Sequence, residues 1–194
     1  MDYLGFSSIL EWAAEQSQSD PDFILQLNPE LDWSRIRAGA IIKVPKIPAY
    51  RISAPVGHIQ IHLSERTLQV YNPTGRILFH YPVSIGRRVE NRPHGELRIV
   101  AFAADPNYTF EPKILTGVAK REGINSRFII PSGPNNPLGT RWISLNRPGY
   151  GIQGTPEPEQ VGRTESHGCF RLANWNADTV FDAARLYMPV YVEP

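Results

Sequence analysis

Cysteine occurs once in these 194 residues, at Cys169. A single thiol excludes an internal disulfide and leaves three readings of the sulfur: a buried apolar filler, a stray thiol or a nucleophile. An excess of charge is also missing, with 20 Lys+Arg against 19 Asp+Glu, so no bulk basic field draws nucleic acid. Trp12, Trp33, Trp142 and Trp175 are scattered rather than interleaved with basic residues, which points the same way. No apolar run reaches the roughly 18 residues that cross a bilayer, and Met1-Asp2-Tyr3-Leu4-Gly5-Phe6 carries no basic stretch followed by an apolar one, so no transmembrane segment is expected. His58, His62, His80 and His94 lack metal-ligand spacing and have no cysteines to join them, so no metal site is expected. What the chain does have is 41% hydrophobic residues, enough for a core, and 18 Pro with 15 Gly, the mark of a turn-rich fold.

Residues 1–46 differ from the rest. Ser7–Gln18 carries Ile9, Trp12 and Ala13 at helical spacing. In Asp20–Leu27, Asp20-Pro21 is an N-cap followed by proline at the first helical position, and Asn28-Pro29 ends the element. Ala40–Pro45 reads as a strand. Residues 47–55, with prolines near both ends and no period, read as a linker.

From residue 56 the period changes to two. Ile59, Ile61 and Leu63 alternate with polar residues, Leu68 and Val70 alternate again, Asn72–Gly75 is a turn, and Ile77–Ile85 continues as a strand. Further strands are expected at Glu96–Phe102, Phe128–Ile130, Trp142–Leu145, Gly151–Gln153, Cys169–Leu172 and Val190–Val192. A helix over Ala177–Tyr187, capped by Asn176, should bury Val180, Phe181, Ala184 and Leu186. The stretches 103–127 and 131–140 read as long loops framing a cleft. The fold class is therefore mainly β (α+β), a sandwich or partly closed barrel with one late helix.

Ser166-His167-Gly168-Cys169-Phe170-Arg171-Leu172 gathers a hydroxyl, an imidazole, a thiol and a guanidinium at a loop-to-strand transition. A thiol is the strongest neutral-pH nucleophile among side chains, but at an ordinary pKa of about 8.5 little of it is thiolate, so it needs a basic or positive neighbour. Gly168 permits a close backbone approach that turns the amides of Gly168 and Cys169 toward an oxyanion. Arg171, two residues along a strand, shares a face with Cys169 and is able to orient a carbonyl or carboxylate. Ser166 reads as a backbone-binding hydroxyl.

This segment, continued by Asn174-Trp175-Asn176, closely resembles the active-site signature of L,D-transpeptidases of the YkuD type. Asn135-Asn136-Pro137-Leu138-Gly139-Thr140-Arg141-Trp142, Tyr150-Gly151-Ile152-Gln153-Gly154-Thr155 and Asn91-Arg92-Pro93-His94-Gly95 resemble further family elements in the family's order, as does Phe110–Leu115 for the loop before the cleft. Residues 1–46 resemble a LysM domain, a βααβ glycan-binding module; a small helical cap is the other reading. The division expected is thus 1–46, linker 47–55, and a catalytic domain over 56–194.

The resemblance implies acyl transfer on peptidoglycan stem peptides without a cofactor, in the periplasm or another extracytoplasmic part of the cell envelope. Cys169 would form a thioester, another stem's amine or water would resolve it, and carbapenems would acylate the same sulfur. It gives catalytic places to Cys169, Gly168, His167 and Gln153, and substrate contacts to Arg171, Ser166, Gly154 and Thr155. Where the family's Gly-hydrophobic-His-Gly-Thr element has its general base, sixteen positions upstream of Cys169, this chain has Gln153. A glutamine amide takes up no proton at accessible pH, and losing a positioned acid or base removes about 10²–10⁴ in rate. Three readings stay open: a peptidoglycan-binding member that keeps the cleft without turnover, an inactivating replacement of the histidine, or transfer of the base role to His167.

Overall fold

A computed structural model describes residues 3–48, 52, 54–87, 90, 92–113, 120, 123–164 and 168–194. Helix α1 (Ile9–Gln16) begins where Ser8 accepts the Glu11 amide, and α2 (Pro21–Leu27) where Asp20 accepts that of Asp22. Ala13, Ala14 and Ile24 form their shared apolar contact, joined by Leu10, Trp33 and Ile42.

The strand expected over Ala40–Pro45 is not paired, and no opening strand runs beside it among the described residues. The backbone of Lys43 is held by the side chain of Asn28, which donates to its carbonyl at 2.8 Å and accepts its amide at 2.7 Å. Leu4 and Gly5 turn elsewhere: the Leu4 amide donates to Ser132 at 2.7 Å, and the Asn135 side chain donates to the Gly5 carbonyl at 2.9 Å. The start of the chain is thus engaged with the second domain, leaving Ala40–Pro45 extended but without a ladder.

The second domain is an eight-stranded curled sheet. Its strands are β1 (His58–His62), β2 (Thr67–Tyr71), β3 (Ile77–Pro82), β4 (Gly95–Ala104), β7 (Arg141–Leu145), β8 (Gly151–Gln153), β9 (Phe170–Arg171) and β10 (Pro189–Glu193), in the order β3-β2-β1-β10-β4-β7-β8-β9. The β1–β10 and β8–β9 pairs are parallel and the others antiparallel. Ser84 bridges to Arg171, so the chain leaving β3 meets the last strand and the sheet curls toward closure. The alternation predicted for β1 is obeyed, whereas in β2 Gln69 is buried along with its neighbours; Ile59, Ile61, Leu68 and Val70 are no more than 1% exposed.

Three further differences concern what local pattern cannot carry. A strand β5 (Tyr108–Phe110), inside the expected 103–127 loop, pairs with β6 (Phe128–Ile130) as a separate hairpin. The late helix, α3 (Asn174–Ala183), has no side-chain cap, because its cap position is Ala173, which carries no acceptor; the Asn174 side chain makes other contacts. It stops before Ala184, whose backbone is extended, and Leu186 is 51% exposed rather than buried. The strand expected at Cys169 begins one residue later.

Candidate active site

Phe170 is fully buried and fixes β9 in the core, pairing with Ile152 while Arg171 pairs with Gln153. On its other side Arg171 exchanges two backbone hydrogen bonds of 2.9 Å with Ser84. Cys169, half-buried, is therefore set at the mouth of β9 between two fastened segments. Gly168 before it has φ +157, and a methyl group there would lie 3.4 Å from the Tyr150 ring; one on Gly86 would lie 3.1 Å from the Gly168 Cα. Backbone conformation and close approach both demand glycine.

The Cys169 thiol donates to the Gly149 carbonyl at 3.5 Å. Burial pushes its pKa up from the ordinary thiol value, with the Gly151 backbone N–H and the Arg171 charge working against that rise. The Nε of Arg171 is buried without a hydrogen-bond partner, an orphan donor that an entering acceptor would satisfy. Tyr108 on β5 borders the same place: burial raises its pKa, the Cys169 charge adds to the rise and Arg171 opposes it. Arg147 covers Tyr150 with its guanidinium carbon 4.4 Å from the ring centre.

Gln153 is 3% exposed, and its Nε2 donates to the carbonyls of Pro137 at 2.8 Å and Gly154 at 3.3 Å. Both amide hydrogens face carbonyls, so what Gln153 offers to other groups is Oε1, an acceptor only.

Asn174, 2% exposed, organises the surroundings. Its Oδ1 accepts the amides of Thr140 at 3.2 Å and Thr155 at 3.1 Å, and its Nδ2 donates to the Pro134 carbonyl at 3.3 Å. A methyl group on Gly139 or Gly154 would fall 2.0 or 2.1 Å from that oxygen. Across the seam with the N-terminal domain, Asn174 also hydrogen-bonds Glu15 of α1, whose pKa is raised to about 7, chiefly by burial.

Of the residues singled out from sequence, Cys169, Gly168, Arg171 and Gln153 share the β8–β9 end. Gly154 and Thr155, expected to contact substrate, are buried against Asn174 and shape the turn that leaves β8. Ser166 and His167 lie outside the described residues. Sequence reasoning did not single out Asn174, Tyr108, Tyr150 or Glu15; Asn174 and Tyr150 lie inside the quoted motifs, whereas Tyr108 and Glu15 carry no local signal. Among the described residues no group of three His, Cys, Asp or Glu could hold a metal ion, and no helix is long and apolar enough to cross a membrane.

Residues 57–192 match the family model described as the L,D-transpeptidase catalytic domain. The L,D-transpeptidase YkuD of Bacillus licheniformis is 29% identical over 170 residues, covering 85% of this chain and 81% of that protein. An L,D-transpeptidase from Mycobacterium smegmatis shares the fold with a TM-score of 0.55 at 19% identity, over 73% of this chain and 59% of its own. L,D-transpeptidase 3 from Mycobacterium tuberculosis, solved with a faropenem-derived adduct, gives a TM-score of 0.50 at 18% identity, over 72% of this chain and 61% of its own.

Proposed function

Since the chain belongs to the L,D-transpeptidase catalytic-domain family, we propose that it performs acyl transfer on peptidoglycan stem peptides through Cys169. The observation that carries this is the sulfur at the mouth of β9, beside the Gly151 amide and the partnerless Arg171 Nε. Loss of the thiol proton gives the nucleophile. Sγ adds to the carbonyl carbon of the third stem residue, and the Gly168 and Cys169 amides receive the oxyanion. The C–N bond to the terminal D-Ala breaks, its amine takes a proton, and a thioester remains. The side-chain amine of a second stem then attacks that carbonyl; an amide forms, and the sulfur leaves and regains a proton. Water in place of the amine gives a carboxypeptidase. The substrate locates the reaction in the cell envelope, outside the cytoplasmic membrane.

Arg171 is the substrate-orienting cation in this reading, and Ser166 is a second substrate contact. Gly154 and Thr155 fix the path of the chain after Gln153. Gln153 removes no proton, which leaves His167 or solvent for that task. Residues 1–46 serve as a LysM-like glycan-binding unit, so they should hold the chain on insoluble peptidoglycan.

A second reading, stem-peptide binding without turnover, is favoured by one observation: both Gln153 amide hydrogens face carbonyls, and its amide takes up no proton from the thiol. Intact mass after incubation with a carbapenem, together with D-Ala release from a disaccharide-tetrapeptide, separates the two. Acyl transfer requires an adduct on the parent that Cys169→Ala lacks. An adduct only in Gln153→His makes the binding reading correct. Cosedimentation of the full chain with purified peptidoglycan tests the N-terminal unit.

A further inference from the structure

The N-terminal domain and the sheet domain meet along a seam, and an open groove of about 210 Å³ lies in it. Ser19 and Asp20, from the turn between α1 and α2, form one wall; Glu159 and Arg163, from the loop after β8, face them; Trp175, in the first turn of α3, completes it. Neither domain makes the groove alone.

Its walls are already fixed. Ser19 Oγ donates to the Ser17 carbonyl at 2.8 Å, and Asp20 is held by capping α2. The opposite loop is tied to the sheet where the Gly162 amide donates to Ser84 Oγ at 3.0 Å and Arg66 donates to the Gly162 carbonyl at 3.0 Å. The Leu4 amide with the Ser132 carbonyl and the Asn135 side chain with the Gly5 carbonyl tie the N-terminal segment to the sheet. A ligand entering such a groove loses little affinity to ordering it.

The lining is chemically mixed in a particular way. Trp175 supplies a half-buried indole, flat and apolar with a polar edge. Asp20 and Glu159 supply carboxylates and Arg163 a guanidinium, and none of these three is in an ion pair among the described residues. A pyranose ring uses this set fully: its C–H face packs on the indole, vicinal hydroxyls donate to carboxylate oxygens, and an acetamido carbonyl accepts from the guanidinium. The volume suits one ring with openings for its neighbours. The walls come from the same stretches of chain as the site: Glu159 lies six residues after Gln153, and Trp175 six after Cys169.

We propose that the seam groove is a saccharide subsite that seats one N-acetylhexosamine of a glycan strand beside the cleft. The choice of sugar rests on the peptidoglycan reading above; the groove and its chemistry do not.

The test uses full-length protein and chitotetraose, a peptide-free N-acetylglucosamine oligomer, with binding followed by calorimetry and by tryptophan fluorescence. Trp175→Ala is expected to weaken binding at least tenfold, and the variants Arg163→Ala and Glu159→Gln several-fold each. Ile77→Ala, on the exposed side of β3 and outside the groove lining, is expected to bind like the parent. If Trp175→Ala melts early, the Arg163 and Glu159 variants carry the test. No binding by the parent, or parent-like affinity in the groove variants, overturns the subsite. Carbapenem adduct formation is measured in parallel: a parent that binds sugar but forms no adduct counts against acyl transfer and leaves the subsite standing, and the reverse result removes the subsite alone.

Discussion

Asn174 and Thr155 are joined by a 3.1 Å hydrogen bond in which the side chain at the start of α3 holds the backbone two residues beyond Gln153. The same oxygen holds Thr140. Asn174→Ala strands both amides in a buried place, and each unsatisfied group costs about 1–3 kcal/mol. A loss of about 2–5 kcal/mol in urea unfolding is expected. Asn174→Asp keeps the acceptor but loses the donor to Pro134 and sets a carboxylate near Glu15 and Asp178, so its deficit should widen as pH rises. A deficit flat with pH would mean the three acidic groups do not sense one another.

Glu15 makes stability itself depend on pH. Its pKa is raised from 4.5 to about 7, first by burial, then by the charges of Asp178 and Glu11, with the Asn174 hydrogen bond opposing. The folded state therefore keeps the proton at pH values where the unfolded chain has lost it. Stability falls as pH rises from about 4.5 to about 7 and levels above. Asp178, also raised by burial, adds in the same direction, so the informative quantity is the difference between the parent and Glu15→Gln. That variant is expected to melt several degrees higher than the parent at pH 8 and alike at pH 4. Parallel melting curves across this range would show that Glu15 ionises without penalty.

At the reacting sulfur the sign runs the other way with pH. In the proposed acyl transfer the nucleophile is the thiolate, and burial lifts the Cys169 pKa above the usual thiol value. Carbapenem acylation of the parent, followed by mass, should climb through and beyond pH 8.5. Gln153→His supplies a group that titrates near neutrality and should raise the rate at pH 7 by about 10²–10⁴. Its profile should rise near the imidazole range. A parent rate that is already level between pH 6 and 9 would place an efficient base elsewhere, with His167 the first to replace.

How much of this was legible in the sequence follows from the range of each interaction. Asp20-Pro21 set the start of α2, and the period-two pattern of Ile59, Ile61, Leu68 and Val70 set β1 and β2, because caps and alternation are local. Tyr108–Phe110 has only three residues and becomes a strand by pairing with Phe128–Ile130, which no local pattern announces. Ala40–Pro45 has strand composition and an extended backbone, but a ladder needs a second strand, and Asn28 holds Lys43 instead. The cap expected at Asn176 is not made, because the helix starts earlier, with Ala173 at the cap position and Asn176 inside its first turn, while the Asn174 side chain reaches Thr140 and Thr155. In the site, Cys169, Gly168, Arg171 and Gln153 lie within nineteen consecutive positions, in two motif-bearing stretches joined by one loop. Glu15 meets Asn174 only through the fold.

Gly168 offers the sharpest separation of stability from chemistry. Its φ of +157 belongs to a region that residues with a Cβ rarely enter, and a methyl group would press the Tyr150 ring at 3.4 Å. Gly168→Ala should cost about 1–3 kcal/mol of stability. If that were its whole effect, Gly75→Ala would be an adequate mimic, since Gly75 has φ +82 and open space around it in the turn after β2. The two variants should lose similar stability in urea. They should differ in acylation, because relaxing the strain at Gly168 rotates the Gly168 and Cys169 amides away from the oxyanion position, where one lost donor costs about 10²–10³ in rate. Carbapenem acylation, measured well below each melting point, is expected to drop by that factor in Gly168→Ala and to stay at the parent rate in Gly75→Ala. Equal rates in the two would assign the oxyanion to other donors, and the Tyr108 hydroxyl, bordering Cys169 and Arg171, would be the next to remove.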